Sequence, residues 1–141
     1  VTSMKEMGTM ISTEELIKRA AAVRANAYAP YSKYKVGAAL LAKDGRIFCG
    51  CNMENASYGL TICAERNAIT TAIAEGCRDF EQIVIVAEGE RPVPCGACLQ
   101  VMSEFAPEIR VTVAAPDGTN RTDYTFMDLM PQQFILRKNE N

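Results

Sequence analysis

Apolar residues recur at helical spacing from Leu16 through Ile17, Ala20, Val23 and Ala27, behind a Ser12–Glu15 pair at the separation of a capping box. The pattern predicts a first helix, closed by Ala29-Pro30. Two strand-like runs, Val36–Ala42 and 46–52, flank Asp44-Gly45, the dipeptide favoured by type I′ hairpin turns, and predict an antiparallel hairpin. Residues 53–62 have no period, and then Ala64, Ala68, Ile69, Ala72 and Ile73 mark a second helix that ends before Gly76. A β-branched run at 82–87, a Pro-rich loop at 88–94, a helix at Gly96–Phe105 and a strand at 109–114 follow. Strand, crossover helix and strand in so short a span predict a parallel pair joined right-handedly. A second Asp-Gly, at Asp117-Gly118, predicts antiparallel pairing with Thr122–Thr125, and a short helical stretch at 126–130 completes the chain. The expected fold is α/β: a three-layer α-β-α sandwich around a mixed five-stranded sheet.

The longest apolar runs are strand-sized, far below the roughly 20 residues of a membrane-spanning helix, so no membrane association is expected. The chain of 141 residues has the size of one domain, expected to span 1–141, with 48% hydrophobic and 23% charged residues. Residues 1–11 read as a frayed or artificial extension. Seventeen acidic against 15 basic residues give a net charge of −2, with no basic block, which disfavours nucleic acid as a partner.

Two counts narrow the chemistry: there are six cysteines and no histidine. Ser-His-Asp and Cys-His mechanisms and two-His zinc sites are excluded, so acid–base and metal work falls to carboxylates, thiols and lysines. The opening residues carry no apolar signal core, so a reducing cytoplasm is expected, where clustered cysteines more often bind metal or react than pair.

Cys63-Ala64-Glu65 and Cys95-Gly96-Ala97-Cys98 both fall where a helix begins, and the positive end of a helix dipole favours thiolates. Three thiolates with an open fourth position are a ligand set for catalytic zinc. Glu65, on the first turn after Cys63, is placed for general acid–base work on a water held there. Arg66 is positioned to donate to a ligating sulfur and offset the charge of three thiolates.

CAERNA followed by PCGACLQ resembles the signature of the zinc deaminases in its three-cysteine form. YAPYSKYKVGAALL, GCNMENASYG and the terminal PQQF are similar to the small homotetrameric cytidine deaminases, over about residues 12–136. The resemblance implies hydrolytic deamination of cytidine and 2′-deoxycytidine in pyrimidine salvage, by attack of a zinc-bound hydroxide on C4 with Glu65 as proton shuttle, using one zinc ion per subunit. It implies that Cys63, Cys95 and Cys98 are the ligands, that Asn52 and Glu54 bond the ribose hydroxyls, and that the Ala64 N–H binds the base carbonyl. Tyr34 stands where the family usually has Phe against the pyrimidine. Val93 replaces a Ser whose backbone carbonyl is used, a change expected to preserve function. Ala56, Tyr58 and Phe134 match positions that reach a neighbouring subunit.

Taken one by one, these residues admit simpler readings. A structural site completed by Cys49 or Cys51 is conceivable, although Cys49, Cys51 and Cys77 read better as core residues. Asn52 and Glu54 could be turn polars, Tyr34 and Tyr58 packing residues, and Phe134 a hydrophobic latch. A zinc-stapled interaction module remains the rival to an enzyme. A deaminase of a cytosine-bearing antibiotic shares the metal motif but fits ENASYG less well, and a polynucleotide deaminase is disfavoured by the sequence pI of about 5.2.

Overall fold

The computed structural model describes residues 11–89 and 92–136. Helix α1 (Thr13–Arg24) begins where Ser12 Oγ accepts the Glu15 N–H at 3.1 Å, one half of the expected box. It ends earlier than the periodicity implied. Ala27 and Ala29 are buried, but in the turn that follows, so their apolar character imitates a further helical turn. Of the expected N-terminal extension only Ile11 lies within the described residues. It packs against the core beneath α1 instead of standing free.

Strands β1 (Val36–Ala42) and β2 (Ile47–Cys51) form the predicted antiparallel hairpin. Its turn is not type I′. Gly45 has φ +96°, whereas among the described residues the non-glycine positive φ angles fall at Lys33 and Asn120. The bonds Gly45 N–H to Ala42 O at 3.1 Å and Ala42 N–H to Arg46 O at 2.9 Å define a three-residue loop with a glycine bulge. Asp117-Gly118 repeats the arrangement, with φ +87° at Gly118. In both loops the residue before the Asp-Gly pair lengthens the turn, so glycine alone takes the left-handed position.

The sheet is completed by β3 (Phe80–Ala87), β4 (Arg110–Ala114) and β5 (Thr122–Thr125) in the order β2-β1-β3-β4-β5. Only β3 and β4 are parallel, and they are linked through α3 (Gly96–Phe105). Helix α2 (Ala64–Ala74) follows the loop after β2, and α4 (Phe126–Leu129) is a single turn closed by a capping box from Thr125 and Asp128.

Strand alternation divides the interior into two layers. Ile83 and Ile85 of β3 join Ala38, Leu40 and Val111 beneath α2 and α3, while Val84 and Val86 join Ala39 and Leu41 beneath α1, against Leu16, Ile17 and Ala20. The three-layer sandwich is thus built from period-two strands and three apolar helix faces. Gly50 sets how closely α2 lies on β2: a Cβ there would stand 2.4 Å from Ala68 N and 2.6 Å from Ala64 O, both backbone atoms. That contact fixes the start of α2, where the candidate chemistry resides. No helix among the described residues is long and apolar enough to cross a membrane.

Candidate active site

Cys63 and Cys95 occupy the N-cap positions of α2 and α3, and neither side chain caps its helix. A Ser or Asp in that position would accept an N–H of the first turn; here the sulfurs are left to face each other across the gap between the two helix ends. Cys98, within the first turn of α3, is buried. Cys63 Sγ lies 4.0 Å from Cys95 Sγ, and Cys95 Sγ lies 3.5 Å from Cys98 Sγ. Sulfurs bound tetrahedrally at about 2.3 Å from zinc would stand about 3.8 Å apart, so this donor set fits the metal without rearrangement of the helices. Among the described residues these three cysteines are the group of potential ligands that converges.

The electrostatics agree with a thiolate centre. Hydrogen bonding from Cys98 and from Arg66 pulls the Cys63 thiol down to about 5, while the same pairing and burial push Cys98 up. Arg66 Nη2 donates to Cys63 Sγ at 3.3 Å. Its Nε is a buried donor without a partner among the described residues. A guanidinium with an N–H in reserve suits a centre whose sulfurs become more negative once all three ionise to hold a metal.

Glu65, on the first turn of α2, is 5% exposed. Burial, and then the charge of Cys63, raise its carboxyl above the ordinary range. A buried carboxyl that holds its proton more tightly than usual can both take a proton from water and return it.

Glu65, Cys63 and Cys95 line one cavity of about 200 Å³ with Tyr34, Val36, Asn52, Thr61, Ala64, Ile85, Pro92 and Val93. That is below the roughly 300–1,000 Å³ of drug-sized pockets and suits a single heterocycle. Tyr34, Asn52, Ala64 and Val93 thus share one cavity with Glu65 and two of the sulfurs. Val36, Thr61, Ile85 and Pro92 were not foreseen: as apolar or small residues on strands and loops they carry no chemical signature.

Asn52 and Glu54 are buried but already engaged. Asn52 Oδ1 accepts the Val36 N–H at 2.9 Å, and its Nδ2 donates to Tyr34 O at 2.8 Å. Glu54 Oε1 accepts from Tyr31 N and Ser32 N at 3.0 and 3.1 Å, and Oε2 accepts the Ser32 hydroxyl. These bonds, the Ser32 hydroxyl foremost, hold the Glu54 carboxyl below its usual range. Neither residue is a free turn polar. They anchor the 31–36 segment, which passes through Lys33 at φ +62°, a conformation that costs a non-glycine residue of order 1 kcal/mol and needs such anchoring. Glu54 itself is not part of the cavity wall.

Ala56, Tyr58 and Phe134 are exposed and do not line the cavity within one chain. Tyr58 opens a 3₁₀ turn (Tyr58–Leu60), and its ring meets that of Tyr31 edge-on at 5.9 Å. Phe134 lies on the tail that follows α4, where its carbonyl accepts Gln100 Nε2 at 3.1 Å and Gln133 accepts Ser103 Oγ at 3.0 Å. A fourth cysteine ligand is not available from β2. Cys49 packs in the layer under α1, and Cys51, two residues on, shares that face, on the far side of the sheet from Cys63. Cys77 is buried in the core.

Comparison with known proteins agrees with this geometry. The family described as the cytidine and deoxycytidylate deaminase zinc-binding region matches residues 10–115. A cytidine deaminase from Halalkalibacterium halodurans is 50% identical over 121 residues, covering 84% of this chain and 91% of that one. One from Sporosarcina psychrophila is 52% identical over 96 residues, or 67% and 71% of the two chains. The crystal structure of cytidine deaminase from Burkholderia pseudomallei superposes with a TM-score of 0.84 at 45% identity, over 88% of this chain and all of that one. With its three-cysteine centre and buried glutamate, the chain belongs to the cytidine deaminase family of zinc-dependent hydrolytic enzymes.

Proposed function

We propose that this enzyme hydrolyses cytidine and 2′-deoxycytidine to uridine and 2′-deoxyuridine with release of ammonia. The observation that carries the reading is the buried Glu65 carboxyl in the same small cavity as the Cys63 and Cys95 sulfurs. Bound by Cys63, Cys95 and Cys98, one zinc ion per subunit supplies a Lewis acid that makes water nucleophilic at neutral pH.

The chain's own groups account for the remaining steps. The base enters the cavity against Tyr34, with the N–H of Ala64 at the α2 N-terminus donating to its carbonyl. Glu65 takes a proton from the attacking water and passes protons to N3 and to the departing amine. The C4–O bond forms and the C4–N bond breaks, so cytidine and water give uridine and ammonia. Arg66 holds down the negative charge of the sulfurs through its bond to Cys63.

At the sugar end, Asn52 retains one N–H and one lone pair, and Glu54 one lone pair on Oε2, beyond the bonds already made. Those sites suffice to grip ribose hydroxyls. If the grip is on the 3′ side, deoxycytidine is accepted as well, with binding of the remote sugar used to orient the reacting base. A neighbouring subunit supplies Ala56, Tyr58 and Phe134, so each site is completed within a homotetramer. The small cavity and the net charge of −2 favour free nucleosides over nucleic acid, in a cytoplasmic pyrimidine-salvage role.

Replacing Glu65 with Gln tests this reading. The variant is expected to fold and retain zinc, measured by atomic absorption, while kcat for cytidine falls by about 10²–10⁴-fold. Retained turnover would remove Glu65 from the mechanism, and wild-type protein without turnover would leave the rival of a zinc-stapled interaction module.

A further inference from the structure

Resting on the deaminase reading above, we infer that Ser32 is a positioning residue that transmits the placement of Glu54, at the sugar end, to Tyr34 on the cavity wall. The Ser32 hydroxyl is used both as donor and as acceptor. It donates to Glu54 Oε2 and accepts the Tyr34 N–H at 3.0 Å. An ionised carboxylate only accepts, so the hydroxyl proton must point to Glu54, and this leaves the hydroxyl lone pairs to face away from Glu54, where one receives the Tyr34 N–H. The Ser32 backbone N–H donates to the other Glu54 oxygen at 3.1 Å, which prevents the serine from turning away.

Tyr34 is then held on both sides of its Cα: by Ser32 at its N–H and by Asn52 Nδ2, at 2.8 Å, on its carbonyl. Its ring lines the cavity beside Glu65, whereas Glu54 does not. Glu54 therefore acts on the base end through Ser32. Oε2 keeps one lone pair beyond the Ser32 bond, and a sugar hydroxyl that bonded to it would polarise the same carboxylate that orients Ser32. Sugar contact and ring placement form one hydrogen-bond network.

The test uses zinc-loaded full-length protein and two readouts: uridine affinity by calorimetry, and the split of KM and kcat for cytidine. Ser32→Ala is expected to weaken uridine binding about tenfold, as loss of a charge-assisted hydrogen bond does, and to raise KM for cytidine more than it lowers kcat. Ser32→Thr, which keeps the hydroxyl, is expected to restore most of both. In a Tyr34→Leu background, Ser32→Ala should add little further loss. The relay is overturned if Ser32→Ala binds uridine like wild type, if its full effect persists in the Tyr34→Leu background, or if its loss follows a fallen zinc content in place of ligand affinity. A wild-type protein that neither binds uridine nor consumes cytidine overturns the deaminase reading, and the relay with it.

Discussion

At position 65 a carboxyl is buried beside a thiolate, and at position 54 a carboxyl is wrapped in donors; the two are perturbed in opposite directions. Glu54 takes up a proton less readily in the folded chain than in the unfolded one, whose ordinary value is 4.5. The unfolded state therefore binds more protons in acid, and stability rises with pH. The contribution of Glu54 is present above the ordinary value and is lost as pH falls through the lower folded one. Urea midpoints measured from about pH 6 to about pH 3 should show this fall, and Glu54→Gln should flatten it. Arg66→Ala is expected to weaken zinc binding several-fold, as removal of a partner to a metal ligand does, which a competition titration with a chromophoric chelator would read. Cys63, Glu65, Cys95 and Cys98 were legible in the sequence because ligand chemistry restricts both residue type and spacing. Ser32 was not. A serine between Tyr31 and Lys33, two residues after Pro30, reads as a turn residue, and its partner Glu54 is 22 positions away.

Elements were legible where one face is buried, and misread where burial and helicity part company. Helix α3 and strand β5 fall within the predicted bounds because the apolar period of α3 ends at Phe105, while β5 lies between the Asp117-Gly118 turn and the helix cap at Thr125. Helix α1 is shorter than expected because Ala27 is buried by a loop, and both Asp-Gly turns carry one more residue than the dipeptide suggested. The close approach of α2 to β2 at Gly50 is invisible to pattern, since a strand glycine has several possible reasons. Gly50→Ala should lift α2 from β2, cost about 1–3 kcal/mol in urea unfolding, and weaken zinc binding, because the displaced helix end bears Cys63 and Glu65. Leu16→Ala, in the layer on the opposite face of the sheet, should cost about 2–5 kcal/mol while leaving KM for cytidine unchanged.

For the whole molecule, the alternation of β3 gave the two-layered core, but nothing periodic marks the surfaces that would join subunits. Tyr58, Phe134, Ile135 and Leu136 are each at least 67% exposed, large apolar side chains that a lone chain of 15.4 kDa leaves to water. Sedimentation should give a species of four chains, and Tyr58→Ala combined with Phe134→Ala should shift it toward smaller forms with lower activity per chain. The central claim is that three sulfurs and Glu65 make a metal-dependent nucleoside deaminase. Ultraviolet absorbance of cytidine tests it most directly, read with zinc-loaded protein before and after a chelator and again after zinc is restored. Conversion to uridine that stops on chelation and returns with zinc is the predicted result; no loss of cytidine by the zinc-loaded protein, or conversion indifferent to the chelator at full metal removal, would contradict it.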